Sequence, residues 1–211
     1  MTAAEGLRGL YAITPRDNLL PRLSAMVSMA LDGGVRLVQY RNDFAPPPLR
    51  RAQAAEMVRI CRAAGARLIV ADDVRLTLEV GADGVHLGRG DGDPAAARQV
   101  LGPGRILGVS CYDDLARAES ATAAGADYLA VGSVFASATK PDATRASLQT
   151  VAEAKRRFAV PVAAAGGITL QNVQQVLAAG ADMVAVVTDL FDTMDIRGRA
   201  AAYGKLFEEP Q

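Results

Sequence analysis

The stretch AGADYLAVGS, Ala124 to Ser133, decides the fold. A small residue and a glycine lead into a short run that is apolar almost throughout. Glycine just past a helix closes it in the left-handed conformation, and a strand can then begin. The same grammar recurs in GGVRLVQY (33–40), AGARLIVAD (64–72), VGADGVHLG (80–88) and AGADMVAVVT (179–188). Runs that stay apolar, instead of alternating with polar residues, indicate strands buried on both faces in a parallel sheet. Between them lie segments rich in Ala, Leu and Arg, such as LRRAQAAEMVRICRAAG (49–65) and DLARAESATAAG (114–125). Their apolar residues recur at helical spacing.

Working outward from that stretch gives eight strands: Leu10–Thr14, Val35–Tyr40, Arg67–Ala71, Gly84–Leu87, Ile106–Ser110, Tyr128–Gly132, Val162–Ala165 and Met183–Val187. The intervals hold a helical segment or room for one, and DIRGRAAAYGKLFEE (195–209) follows the last strand. Eight near-equal alternating units predict an α/β fold, a (β/α)8 TIM barrel forming a single compact domain over residues 1–211. An open doubly wound sheet of the same elements is the alternative. No G-x-G-x-x-G follows the first strand, which favours the barrel.

The 23 basic and 23 acidic residues of this 211-residue chain cancel. A zero net charge gives no general field for steering nucleic acid or an anionic membrane, so any bound anion must be held by local groups. No stretch reaches the roughly 18 apolar residues of a membrane span. Cys61 and Cys111 have no metal-like spacing and are too few for a disulfide framework, so a reduced, cytoplasmic setting is expected. Apolar barrel helices often find partners, and self-association stays open.

In such barrels the active site lies at the carboxyl ends of the strands. Collecting the residues just past each strand gives Gln39, Arg41, Asn42 and Asp43; Asp72 and Asp73; Arg89, Asp91 and Asp93; Ser110; Ser137, Thr139 and Lys140; Gly166 and Gly167; Val187 and Thr188. The glycine pair and the following VAVVTD loop match the place where these barrels build a phosphate site. Asp72 and Asp91 come from adjacent strand ends and suit a Mg²⁺ ion shared with ligand phosphates. Aspartates at strand ends also form turns or cap helices; Asp93, before Pro94, reads as a cap, and Asp73 as a cap or a solvent-facing residue. The one histidine, His86, precedes its strand end, so its ring is expected to be packed or hydrogen-bonded inside the barrel. With no second histidine, Ser–His–Asp chemistry at Ser110 is set aside. Tyr40, in mid-strand, reads as core.

LYAIT (10–14), LVQYRN (37–42), LIVADD (68–73), GADGVHLG (81–88), GVSCYD (108–113), GADYLAVGSVFASATKP (125–141) and AAGGIT (164–169) together resemble the thiamine-phosphate synthase family along nearly the whole chain. The resemblance implies a (β/α)8 barrel that joins a hydroxymethylpyrimidine diphosphate to a thiazole phosphate, releasing pyrophosphate with Mg²⁺ present. It implies that Gln39, Tyr40, Arg41, Asn42, Asp43, Ala71, Ser110 and Lys140 surround the pyrimidine diphosphate, with Arg41, Ser110 and Lys140 aiding the reaction. Ser137, Ala138, Thr139, Gly167, Val187 and Thr188 would surround the thiazole phosphate, and Asp72 and Asp91 would hold Mg²⁺.

Two positions depart from the family pattern. Asp43 stands where the family usually has lysine, and Ala71 where it usually has asparagine. An anion beside a diphosphate adds repulsion, and an alanine cannot supply the side-chain hydrogen bonds of the asparagine. Three readings follow: a working synthase with weakened diphosphate affinity, an Asp43 that turns outward or joins the metal, or a paralogue with altered chemistry. The paralogue could be a thiazole tautomerase-like isomerase, which would need a histidine near Ser133, or a non-catalytic phosphometabolite-binding barrel.

Overall fold

The computed structural model describes residues 6–136 and 145–208. Strands β1 (Gly9–Ile13), β2 (Leu37–Tyr40), β3 (Arg67–Ala71), β4 (Gly84–Leu87), β5 (Ile106–Tyr112), β6 (Tyr128–Gly132), β7 (Val162–Ala165) and β8 (Met183–Val186) pair in parallel in chain order. Strand β8 returns to β1, with Leu10 opposite Val184, and closes the barrel. Around it run α1 (Leu20–Asp32), α2 (Pro47–Ala63), α3 (Val74–Val80), α4 (Pro94–Leu101), α5 (Leu115–Ala123), α6 (Leu148–Arg157), α7 (Val173–Ala178), the short α8 (Thr188–Phe191) and α9 (Ile196–Lys205). The expected eightfold alternation is present. The largest shifts are in β2, which starts at Leu37 instead of Val35, and in β5, which runs past Ser110 to Tyr112 through a register irregularity against β6; β1 lies one residue earlier and β8 ends one residue sooner than expected. Among the described residues no helix is long and apolar enough to cross a membrane.

Successive strand residues face opposite ways, and both faces are largely buried here. Val38, Leu68, Val70 and Val184 pack outward against the helices in one cluster; Val85, Leu107, Val109 and Leu129 do so in another. Tyr11, Leu37, Ile69, Ile106, Tyr128 and Met183 fill the barrel interior. This explains why the strand runs looked uniformly apolar. Gly108 is an inward position without a side chain because a Cβ there would lie 2.0 Å from Cζ of Tyr128, whose ring takes the space.

The recurring Gly-Ala-Asp has a mechanical role. Asp83, Asp127 and Asp182 each precede a strand, and each clamps the start of a neighbouring strand. The backbone N–H of Leu68 donates to the Asp83 carboxylate at 2.7 Å, that of Leu107 to Asp127 at 2.8 Å and that of Val162 to Asp182 at 2.9 Å. The aspartate N–H groups donate back to the carbonyls of the same three residues, at 2.9, 2.7 and 2.9 Å respectively. Arg98 pairs with Asp127, and Lys155 with Asp182 at 2.7 Å. These clamps sit at the amino ends of the strands, the face that serves stability in this fold. Asp182→Ala is therefore expected to destabilise the protein by about 1–3 kcal/mol in urea unfolding, the penalty for an orphaned buried donor, while leaving turnover unchanged.

At the other end of the barrel the polar residues divide into caps and candidates. The Asp73 carboxylate accepts from Leu76 N–H at 2.8 Å and caps α3; that of Asp93 accepts from Ala95 and Ala96 at 3.1 and 3.3 Å and caps α4. Both therefore act as the helix caps the sequence suggested.

Candidate active site

Strand β2 delivers Gln39 to the interior and Arg41 to the rim. The backbone N–H of Arg41 donates to Oγ1 of Thr14 at 2.9 Å, tying the tips of β1 and β2 together. Its Nε is buried with no hydrogen-bond partner, and its Nη2 stands 3.8 Å from Asp43. The Asp43 carboxylate is already occupied: Arg16 donates to its two oxygens from Nε and Nη2, each at 2.9 Å. Arg16 in turn lies over the Phe44 ring, 4.3 Å from its centroid. Burial alone would raise the Asp43 carboxyl; the Arg16 hydrogen bonds and the charges of Arg16 and Arg41 together hold it below the usual range. Asp43 is thus a shared counter-ion for two arginines, and Arg41 keeps donors to spare.

Asp72 follows β3 in a left-handed backbone conformation, φ 68°, with its N–H donating to the His86 carbonyl at 2.9 Å. Its carboxyl is pushed up to about 6, first by burial and then by hydrogen bonding and charge from Asp91, against the pull of Arg41. The Asp91 carboxylate also accepts from Gly88 N–H at 2.6 Å, which folds the β4 loop back toward Asp72. The two predicted metal-binding carboxylates therefore meet. They meet as a pair: among the described residues no group of three or more His, Cys, Asp or Glu gathers.

The sign of the stability effect follows from the raised value. Between about pH 4 and about pH 6 the folded chain holds an Asp72 proton that the unfolded chain has lost, so this contribution to stability is complete below that window and gone above it. In EDTA, Asp72→Asn is expected to raise Tm at pH 7 and to flatten the fall in Tm from pH 4 to pH 7. A variant curve parallel to the wild type would contradict the placement of the pair.

Inside the mouth, five polar side chains form one line. Gln39 Nε2 lies 2.7 Å from the Tyr11 hydroxyl, which lies 2.7 Å from that of Tyr128. The Tyr128 hydroxyl is 2.8 Å from His86 Nδ1, and His86 Nε2 is 2.8 Å from Ser110 Oγ. His86 is hydrogen-bonded within the barrel, as its position before the strand end suggested. Its contact with Ser110 makes a Ser–His pair, the arrangement that a lone histidine before its strand end argued against.

Other expectations separate. Tyr40 and Asn42 are not brought to the mouth by their side chains. The Tyr40 hydroxyl donates to Gln53 Oε1 at 2.8 Å, and Asn42 Nδ2 donates to the same oxygen and to the Asp17 carbonyl, both at 3.0 Å. Both face α2, because residues 40 and 42 alternate outward where 39 and 41 face in. Ala71 is buried at the tip of β3 and offers only a methyl group. Gly166 and Gly167 have φ of 99° and 63°, and a Cβ on Gly167 would lie 2.2 Å from the Ala136 carbonyl oxygen. Val187 and Thr188 stand at the start of α8. Ser137, Ala138, Thr139 and Lys140 lie outside the described residues.

Arg16, Thr14, Tyr11 and Tyr128 were absent from the sequence-based rim. Thr14 and Arg16 lie at the tip of β1, ahead of the first expected rim residue, Gln39. Tyr11 and Tyr128 were legible as inward positions only once the two-residue period of each strand was phased.

Residues 10–190 match a family described as thiamine monophosphate synthase. The chain is 54% identical over 202 residues to a thiamine-phosphate synthase of Aromatoleum aromaticum, covering 96% of this chain and 97% of that one. It is 50% identical over 205 residues to one of Bordetella pertussis, covering 94% of each. Among solved structures, thiamine phosphate pyrophosphorylase of Pyrococcus furiosus superposes with a TM-score of 0.86 at 33% identity, over 96% of both chains. A 3-hexulose-6-phosphate synthase of Salmonella typhimurium, with a TM-score of 0.71 at 22% identity over 95% of this chain and 98% of that one, shares the barrel alone.

Proposed function

The chain belongs to the thiamine monophosphate synthase family, and from that premise we propose how its barrel mouth performs the coupling. The substrates are a hydroxymethylpyrimidine diphosphate and a thiazole phosphate; the products are thiamine phosphate and pyrophosphate. The observation that carries this reading is the juxtaposition of an arginine with uncommitted donors and a half-buried carboxylate pair at one rim.

The reaction breaks the bond between the pyrimidine methylene and the diphosphate oxygen, and the electron pair leaves with the diphosphate. The thiazole nitrogen then forms a bond to that methylene with its own lone pair. No protein nucleophile is needed. What the protein must do is stabilise charge developing on the leaving group in a preorganised, water-poor site and align the nitrogen. Arg41 donates to the departing diphosphate, since both Asp43 oxygens already accept from Arg16 and Arg41 stands off from them at 3.8 Å. Ser110 and Lys140 supply further donors. Gln39 orients the pyrimidine. The bare backbone at Gly167, with Val187, Thr188 and Ser137 to Thr139, receives the thiazole phosphate.

Asp72 and Asp91 fit a hard divalent cation: two half-buried carboxylates pressed together repel each other, and Mg²⁺ would relieve that repulsion. We assign them as its ligands; once bound there it would neutralise part of the diphosphate charge. The departure at Asp43 is compatible with this chemistry because two guanidiniums and one carboxylate still leave the Arg16–Asp43–Arg41 group with one net positive charge. We place the activity in the cytoplasm.

The test is incubation with both substrates and Mg²⁺. Thiamine phosphate and pyrophosphate are expected in equal amounts. Binding of thiazole phosphate without turnover would replace this reading with the non-catalytic one. The tautomerase alternative draws no support from the site, where Ser133 donates its hydroxyl to the Phe135 carbonyl at 2.8 Å.

A further inference from the structure

The pair of Ser110 and His86 resembles two members of a nucleophilic triad, and the third member decides what the pair can do. In a triad a carboxylate accepts a hydrogen bond from Nδ1–H, which leaves Nε2 bare to take the serine proton. Here the group at Nδ1 is the Tyr128 hydroxyl, 2.8 Å away, and a phenol can donate. Which way it points is settled further along the line.

Gln39 presents its amide nitrogen to Tyr11 at 2.7 Å. An amide N–H can only donate, so the Tyr11 oxygen accepts there. Tyr11 is fully buried, and its one proton has a single remaining partner, the Tyr128 oxygen at 2.7 Å. Tyr128, accepting from Tyr11, spends its own proton on His86 Nδ1. With the Gln39 amide nitrogen on Tyr11, any other assignment leaves a buried hydroxyl proton without an acceptor, a penalty that folded interiors avoid. Burial holds both phenols far above their ordinary range, so the two protons stay in place.

We propose that this line of hydrogen bonds, Gln39 to Tyr11 to Tyr128 to His86, locks His86 as the Nε2–H tautomer and makes Ser110 a one-way donor into the mouth. The inference rests on the reading of Ser110 as a diphosphate contact and deepens it. His86 Nε2–H donates to Ser110 Oγ at 2.8 Å. Among the described residues Ser110 Oγ has His86 as its hydrogen-bond partner, so the serine proton is available to a ligand oxygen. A serine that accepts from behind and donates forward suits an anionic ligand, because each bond in such a chain polarises the next. The reverse chain would consume the serine proton on His86 and turn lone pairs toward the diphosphate. His86 is thus a positioning residue, neither base nor nucleophile partner. The apolar-looking strand residue Tyr128, and the glycine at 108 that makes room for it, belong to the reaction's electrostatics.

The chain has one histidine, so protein labelled with ¹⁵N-histidine shows a single imidazole by NMR. A pyrrole-type Nε2 and a pyridine-type Nδ1 in the free protein are expected. A proton on Nδ1, or on both nitrogens, overturns the proposal. Kinetics supply a second reading. His86→Gln keeps an N–H near the Nε2 position, whereas His86→Asn reaches only the Nδ1 position. The asparagine variant is expected to raise KM for the pyrimidine diphosphate roughly tenfold or more, the scale of a hydrogen bond to a charged group, leaving KM for the thiazole phosphate unmoved. The glutamine variant should recover most of the loss. Equal defects in the two variants, when both remain folded by circular dichroism, also overturn the proposal. An Nε2–H imidazole in a wild-type protein without synthase turnover would leave the hydrogen-bond line standing and remove the functional reading; turnover with an Nδ1–H imidazole would do the reverse.

Discussion

Arg41→Met is expected to lower kcat roughly 100- to 1,000-fold, the loss that follows removal of one preorganised donor at developing charge. Three features lead to this size. The Arg41 Nε is buried without a partner, so it has been desolvated in advance of any ligand. Its backbone is pinned to Thr14, which fixes where the guanidinium can reach. Its nearest anion, Asp43, is bound bidentately by Arg16 and leaves Arg41 at 3.8 Å. A partly desolvated cation held in place is worth more to the transition state than to the substrate, because the leaving diphosphate gains charge as the bond breaks. Methionine keeps most of the packing volume and removes the donors. Steady-state kinetics should therefore show the loss mainly in kcat. An effect confined to KM would mean that Arg41 binds the ground state only.

Gly167→Ala is expected to lower kcat/KM for the thiazole phosphate about 100-fold. The residue has φ 63°, a conformation that costs an alanine about 1–2 kcal/mol. The added Cβ would also lie 2.2 Å from the Ala136 carbonyl oxygen and 2.9 Å from Cβ of Phe135. Those atoms are backbone and near-backbone, so relief requires the loop after β6 to move away from the loop after β7. Such overpacking costs roughly a further 1–3 kcal/mol. The Gly167 carbonyl is held by Asn172 Nδ2 at 2.9 Å, which keeps the glycine from yielding instead. Titration of the variant with thiazole phosphate should show weakened binding, while affinity for pyrophosphate stays near the wild-type value. Unchanged thiazole phosphate binding would remove these glycines from the site.

The barrel was legible because its grammar is local. Helices end in small turns and the strands are largely apolar on both faces, so the recurrence of one pattern indicated the count and most of the boundaries. The pairing of Asp72 with Asp91 was legible for a related reason: strand order places consecutive tips side by side. What sequence could not show was direction. Tyr40 and Arg41 are neighbours in the chain, yet alternation sends one to α2 and the other to the mouth. The inward phase of β1 and β6 likewise had to be seen before Tyr11 and Tyr128 could join Gln39 and His86. The aspartates show the same limit. Asp182 and Asp91 look alike in the chain, but one clamps the amino end of a strand and the other faces Asp72 at the catalytic end. Asp43 read as a repulsive charge because its partner Arg16 comes from a different strand end, 27 residues away in sequence.

The most direct test of the whole scheme is a crystal structure of the protein with Mg²⁺, pyrophosphate and thiamine phosphate. The scheme predicts the cation between the Asp72 and Asp91 carboxylates, with pyrophosphate against Arg41 and the Ser110 hydroxyl. A cation bound away from both carboxylates, or pyrophosphate lying outside the tips of β2 to β5, would contradict it.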